Sequence, residues 1–195
     1  MDDGASILIN LGLRYATAFG VAFQGKAVVV KEDNKYKIEY YQTQSDKQEE
    51  SVFKFDGKRM VFGSMLLDDT GVFAPPLMMN FSKEKRLIET EVSGSDNMVV
   101  ERWGTSNWVI NITGILIDIE NRSYPQEKIE ELVKLFDYNN IVKVSGNQFL
   151  DKNIDSIYFQ AVHIEPLEGF IDTVRFNLSA RSIKEVSYSL SNPNE

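Results

Sequence analysis

Apolar and polar residues alternate along several short runs of this chain, a pattern that predicts strands with one buried face. The clearest run lies between Trp108 and Ile119, where Trp108, Ile110 and Ile112 point the same way before Gly114 interrupts the phase. Further strands are predicted at 27–31, 36–42, 53–62, 87–92, from 99 onward, and at 141–144, 154–164 and 170–180. We therefore expect a β-rich α+β protein, built as an antiparallel sandwich or half-barrel.

Turn residues divide these strands into hairpins. Asp33-Asn34 separates the first two runs, and Asp56-Gly57 has the composition of a type I′ turn within 53–62. The polar segment 43–51 and the segment 63–76, which contains Pro75-Pro76, are predicted loops.

Two helices are predicted. Pro125 opens a helix over about 125–138, with acidic residues in its first turns that complement the helix dipole. Residues 5–23 carry apolar side chains at spacings of three and four, although Gly12 and Gly20 weaken a helix there, and an extended arm is the alternative. The expected organisation is an N-terminal helix or arm over 1–25, one β-rich domain over 26–190, and a frayed tail over 191–195.

Composition narrows the classes of function. The 195 residues suit one domain, and the absence of cysteine excludes disulfides and thiolate chemistry. A formal net charge of −8 disfavours partners such as nucleic acid or an anionic membrane. No basic residue precedes the apolar run at 7–13, so we expect no secretory signal and a cytoplasmic location in the producing cell.

Candidate chemistry is sparse. His163 is the only histidine and lies in a predicted strand, where pairing across a sheet is the simplest role. Asp68-Asp69 and the pair Glu89 and Glu91 are the best carboxylate pairs, and solvated charges explain both more simply than acid–base chemistry. Calcium at Asp68-Asp69 stays open, although the spacing of a calcium loop is missing. We expect no catalytic, cofactor-binding or metal-binding residues, no cofactor and no enzymatic activity.

The second half of the chain resembles a largely uncharacterised family of phage and prophage tail proteins associated with the baseplate. The resemblance covers about residues 99–182, and it is carried by the segments 104–117, Tyr124-Pro125 with Ile129 and Leu132, 154–157, 168–170 and 176–180. It implies a structural component of a phage tail, prophage particle or contractile injection apparatus, such as a baseplate or tube-end adaptor. Other tail or baseplate subunits would be its partners. A carboxylate-dependent hydrolase using Asp68 or Asp69, or a free-standing ligand-binding module, is the alternative.

Two apolar segments predict an attachment surface. Residues 5–23 and 63–79 hold more apolar side chains than flexible segments of a small domain usually leave uncovered. The candidate interface residues are Phe19, Phe23, Met65, Leu66, Phe73, Met78 and Met79. A homo-oligomer is the simplest assembly that such a surface would make. The alternative is that both segments pack on the sheet of the same chain.

Overall fold

A computed structural model describes residues 6–9, 11–20, 26–32, 35–41, 50–63, 72–94, 96–119 and 121–184. In chain order its elements are β1 (Ser6–Ile9), α1 (Leu11–Phe19), β2 (Lys26–Glu32), β3 (Lys35–Tyr41), β4 (Ser51–Phe55), β5 (Lys58–Phe62), β6 (Val72–Phe73), β7 (Met78–Ser82), β8 (Lys85–Glu91), β9 (Met98–Thr105), β10 (Val109–Asp118), α2 (Gln126–Phe136), β11 (Val142–Ser145), α3 (Asn147–Leu150), β12 (Ser156–Pro166) and β13 (Thr173–Ser182).

The described strands form three antiparallel sheets. The large sheet has the strand order β5-β4-β11-β12-β13-β10-β6, with β7 also paired to β10. A second sheet joins β1, β2 and β3, and β8 pairs with β9 in a third. The predicted β-rich α+β class is confirmed. The predicted flanking helix at 125–138 is α2, and its buried side chains are Lys128, Leu132 and Leu135.

Strand β10 lies between β13 and the short strands β6 and β7 of the large sheet, and it is buried on both faces along its second half. Ile110, Ile112 and Leu116 belong to the main core, and Ile115 and Ile117 are buried on the opposite face. The strand predicted from Trp108 to Ile119 is confirmed as β10, but the expected change of phase at Gly114 is wrong, because Ile112 and Leu116 on either side of the glycine belong to the same core. The glycine leaves room for the Phe176 ring, since a β-carbon at position 114 would lie 2.5 Å from Phe176 Cζ.

Aromatic rings fill the main core. Phe53 meets Phe62 and Phe149 edge to face, with ring centroids 5.7 Å and 6.1 Å apart, and Phe62 lies 5.5 Å from Phe176. These four rings come from β4, β5, α3 and β13, and all are fully buried. The hairpin β4–β5 and the short helix α3 are thereby fixed to the large sheet by apolar burial.

Local signals predicted some elements well and others poorly. Asp56 and Gly57 both have positive φ, at 46° and 68°, as a type I′ turn requires. The helix predicted over 5–23 is shorter, because residues 6–9 pair with β2 as β1, and Gly20, at φ 67°, follows the end of α1. The predicted loop at 63–76 contains the short strand β6, which pairs with the end of β10.

Candidate interaction surface

Helix α1 lies on the chain's own large sheet. Its buried side chains are Arg14, Tyr15 and Ala18, which share one helical face. The Phe19 ring lies 5.9 Å from the Arg175 guanidinium, and Arg175 is opposite Ile115 in the β10–β13 register. Directly opposite residues share a face of a sheet, so α1 covers the face that holds Ile115. This explains why β10 is buried on both sides.

A buried ion pair fixes α1 to the turn before β13. Arg14 Nη2 donates to Asp172 Oδ1 at 2.8 Å and to Oδ2 at 2.9 Å, and Arg14 Nε donates to Thr173 Oγ1 at 2.8 Å. The Arg14 guanidinium also lies 4.8 Å from the centre of the Phe170 ring. Every one of these partners is more than 150 positions from Arg14 in the sequence. The contact therefore joins the N-terminal helix to the C-terminal strand.

The Asp172 carboxylate is held in its charged form. Burial alone would raise its pKa, but hydrogen bonds from Arg14 and Thr173, the charge of Arg14 and a hydrogen bond from Arg122 outweigh that effect. The pKa of Asp172 therefore lies below its usual value. Asp118 orients the loop that carries Arg122, since its carboxylate accepts hydrogen bonds from Asn121 N at 3.0 Å and Ser123 Oγ at 3.0 Å.

The predicted interface residues fall in three different settings. Phe19 is half-buried and packs at 5.4 Å against the Tyr15 ring, and Met79 packs against the main core. Met78, next to it in β7, is exposed. Phe73 belongs to β6, but its side chain is outside the described part of the structure. Phe23, Met65 and Leu66 lie entirely outside the described residues. Docking of this set on a neighbouring subunit stays a prediction.

Among the described residues, the largest group of exposed apolar side chains lies elsewhere, on a two-stranded arm that was predicted from the sequence only as strands. We define the β-arm as residues 85–105, which comprise β8, β9 and the turn between them. Every residue described between 85 and 102 is exposed. Six apolar side chains of the β-arm remain 40% to 54% exposed: Leu87, Ile88, Val92, Met98, Val99 and Val100. Apolar residues in adjacent positions on both strands were the signal in the sequence, because they must occupy both faces of a ribbon.

Both faces of the β-arm mix apolar and charged side chains. The register pairs Leu87 with Arg102, Glu89 with Val100, and Glu91 with Met98 on one face. The other face carries the pairs Ile88 with Glu101 and Thr90 with Val99. Such a ribbon buries little of its own surface, and exposed apolar area of this kind is typical of contact sites.

The predicted chemical candidates are not brought together in the described residues. His163 is opposite Asn177 in the sheet and is largely exposed, 3.4 Å from Glu165 Oε2. Glu89 and Glu91 lie on one face of the β-arm, and Asp68 and Asp69 are outside the described residues. Within the described ranges no three histidine, aspartate or glutamate side chains cluster as metal ligands would. None of the helices in those ranges has the length and apolarity that crossing a bilayer would take.

Comparison with known proteins places the chain in a family. A family model described as "Domain of unknown function (DUF6046)" matches residues 72–193. The chain belongs to this family. The matched DUF6046 segment includes the β-arm, β10 and Asp172, whereas α1 and the β4–β5 hairpin precede it.

Among solved structures, the chain is similar to the crystal structure titled SPP1 Dit (gp 19.1) protein, "a Paradigm of Hub Adsorption Apparatus in Gram-positive Infecting Phages". The two are 13% identical with a TM-score of 0.39, and the match covers 66% of this chain and 48% of that one. The chain thus spans about half the length of the Dit protein. No curated protein matches it.

Proposed function

We propose that this DUF6046 protein is a structural subunit of a phage tail or related injection particle, at the baseplate or tube end, and that it acts by assembly rather than by catalysis. The proposal rests on one observation: the apolar side chains of the β-arm are exposed on both of its faces. A large exposed apolar surface on a folded protein favours contact with a neighbour. Because residues 99–182 resemble tail proteins, we propose that the neighbours are other tail or baseplate subunits.

The base of the β-arm suits this role. Ser106 N donates to Glu84 O at 2.8 Å, and Ser106 Oγ donates to the same oxygen at 3.1 Å. The two strands are thus held together where they leave the large sheet, between β7 and β10. A ribbon closed at its base can present its surface to a partner with a small loss of conformational entropy.

Incorporation into particles tests the proposal. The protein is tagged in the strain that produces it, and the purified particles are analysed by quantitative mass spectrometry. We expect the wild type in the particles in fixed ratio to the other tail proteins. Val99→Thr combined with Val100→Thr should reduce incorporation strongly, because threonine keeps strand propensity and shape but adds a polar hydroxyl.

The matched control is Val133→Thr in α2, where the valine is 37% exposed. It makes the same chemical change outside the β-arm and should leave incorporation unchanged. A wild-type protein that stays outside the particles contradicts the proposed function. Equal incorporation of the arm variant and the wild type contradicts the role of the β-arm.

A further inference from the structure

On the edge of β8 that faces away from β9, the backbone N–H and C=O groups of every second residue point outward. At the two ends of this strand, Ser106 N donates to Glu84 O at 2.8 Å and Val92 N donates to Asn97 O at 3.2 Å. Even-numbered residues therefore direct their backbone groups toward β9. Because the direction alternates along an antiparallel strand, the odd-numbered residues from 85 to 91 direct theirs away from β9. Among the described residues β8 pairs with β9 alone, so this edge is open.

The charges of β8 are separated along its length. Lys85 and Arg86 begin the strand, and Glu89 and Glu91 end it. A strand with this order is complementary to a copy of itself that runs in the opposite direction. Strand β9 lacks the property, because its two charged residues, Glu101 and Arg102, are adjacent.

We propose that β8 pairs antiparallel with β8 of a second copy of this chain, around a two-fold axis at Ile88, so that two β-arms form one four-stranded sheet. The inference rests on the proposed assembly function and names one partner of the β-arm. Lys85 of each copy then lies opposite Glu91 of the other, and Leu87 lies opposite Glu89. A two-fold axis of this kind makes the contact isologous, with the same surface used by both copies.

Geometry selects this register over its neighbours. All seven residues of β8 are paired in it, and every outward-directed residue meets another outward-directed residue. The four such pairs supply about eight backbone hydrogen bonds, two for each pair. Moving the axis to Glu89 would place that carboxylate opposite its own copy. Moving it to Leu87 would place Glu91 opposite Lys83, which lies outside β8, so that only the five residues from 85 to 89 would be paired within the strand.

Charge exchange at the two ends of β8 tests the pairing. Lys85→Glu puts glutamate opposite glutamate twice, and Glu91→Lys puts lysine opposite lysine twice. Each variant alone should raise the dimer dissociation constant about tenfold, because two cross-strand attractions become repulsions. An equimolar mixture of the two variants should recover a heterodimer of wild-type affinity, since both of its end pairs are then of opposite charge. Sedimentation velocity over a wide concentration range measures the constants, and native mass spectrometry identifies the heterodimer.

Two controls carry the same charge changes on β9. Arg102→Glu and Glu101→Lys lie one strand away from the proposed contact and should change the dissociation constant by about twofold or less. A wild-type protein that is monomeric at every concentration overturns the proposal, and so does a mixture that associates no better than its components. Particle incorporation is measured separately, so a chain that enters particles but does not pair through β8 overturns the self-pairing alone.

Discussion

Replacing Asp172 by asparagine is expected to release α1 from the large sheet. The side chains of Arg14 and Asp172 are only 6% and 9% exposed. Removing one partner of a buried ion pair costs about 3–5 kcal/mol, because the remaining charge is left uncompensated. Asparagine keeps one oxygen that can accept a hydrogen bond from Arg14, so we expect a cost of about 3 kcal/mol, at the lower end of that range.

The chain can avoid this cost by letting α1 open. Among the described side chains of the helix, two apolar ones are buried, Tyr15 and Ala18, and their burial is worth about 2–4 kcal/mol at the usual value per unit of apolar area. This magnitude is similar to the cost of an unpaired Arg14. Local opening of α1, rather than unfolding of the large sheet, is therefore the expected response.

Hydrogen–deuterium exchange read by mass spectrometry measures the opening. Peptides covering residues 11–20 should exchange roughly a hundredfold faster in Asp172→Asn, the factor that corresponds to about 3 kcal/mol. Peptides from β10 and β13 should be unaffected. The matched control is Glu165→Gln, which removes a carboxylate 3.4 Å from Arg175 at an exposed pair and should cost less than about 1 kcal/mol. Unchanged exchange in α1, or equal acceleration in α1 and β10, would refute this reasoning.

Two further predictions concern the pH dependence of stability and the packing around Gly114. Because the pKa of Asp172 is lowered in the folded state, its carboxylate stabilises the fold fully at pH values above its pKa in the unfolded chain, about 4. This stabilisation is lost as the pH falls through the lower pKa of the folded state. The difference in thermal midpoint between wild type and Asp172→Asn should therefore be constant from neutral pH to about pH 5 and shrink below about pH 4; a difference that persists in strong acid would contradict the assignment. Gly114→Ala should lower the free energy of unfolding by about 1–3 kcal/mol in urea titrations, because the new methyl group meets Phe176 and Leu77, 2.5 Å and 2.7 Å away. An unchanged midpoint would show that these side chains move aside at no cost.

Local sequence patterns were sufficient where the deciding interaction is itself local. The type I′ turn at Asp56-Gly57 and the helix that follows Pro125 depend on neighbouring residues, and both were predicted. Strand β10 was also predicted, from Trp108 to Ile119, but the close approach of Phe176, far away in the sequence, to Gly114 within it was not. Periodicity alone cannot report such a partner.

The features that were not predicted depend on contacts between residues far apart in the sequence. The apolar spacing of residues 5–23 favoured one long helix, whereas pairing with β2 makes residues 6–9 a strand. Arg14 interrupts the apolar face of α1, and this irregularity was the available signal for a buried ion pair, but its partner is 158 positions away. For the β-arm, the exposure of Val99 and Val100 depends on which other elements cover the ribbon, and that requires the whole fold.

Amide exchange of the β-arm, compared between the isolated chain and purified particles, tests the central claim most directly. In the isolated chain, diluted until it is monomeric, the amides of Leu87, Glu89 and Glu91, which point away from β9, should exchange quickly. Once the protein is assembled, these amides and the β-arm peptides as a whole should be strongly protected. Equal exchange of residues 85–105 in the free and assembled states would contradict the claim that the β-arm is the contact through which this protein assembles.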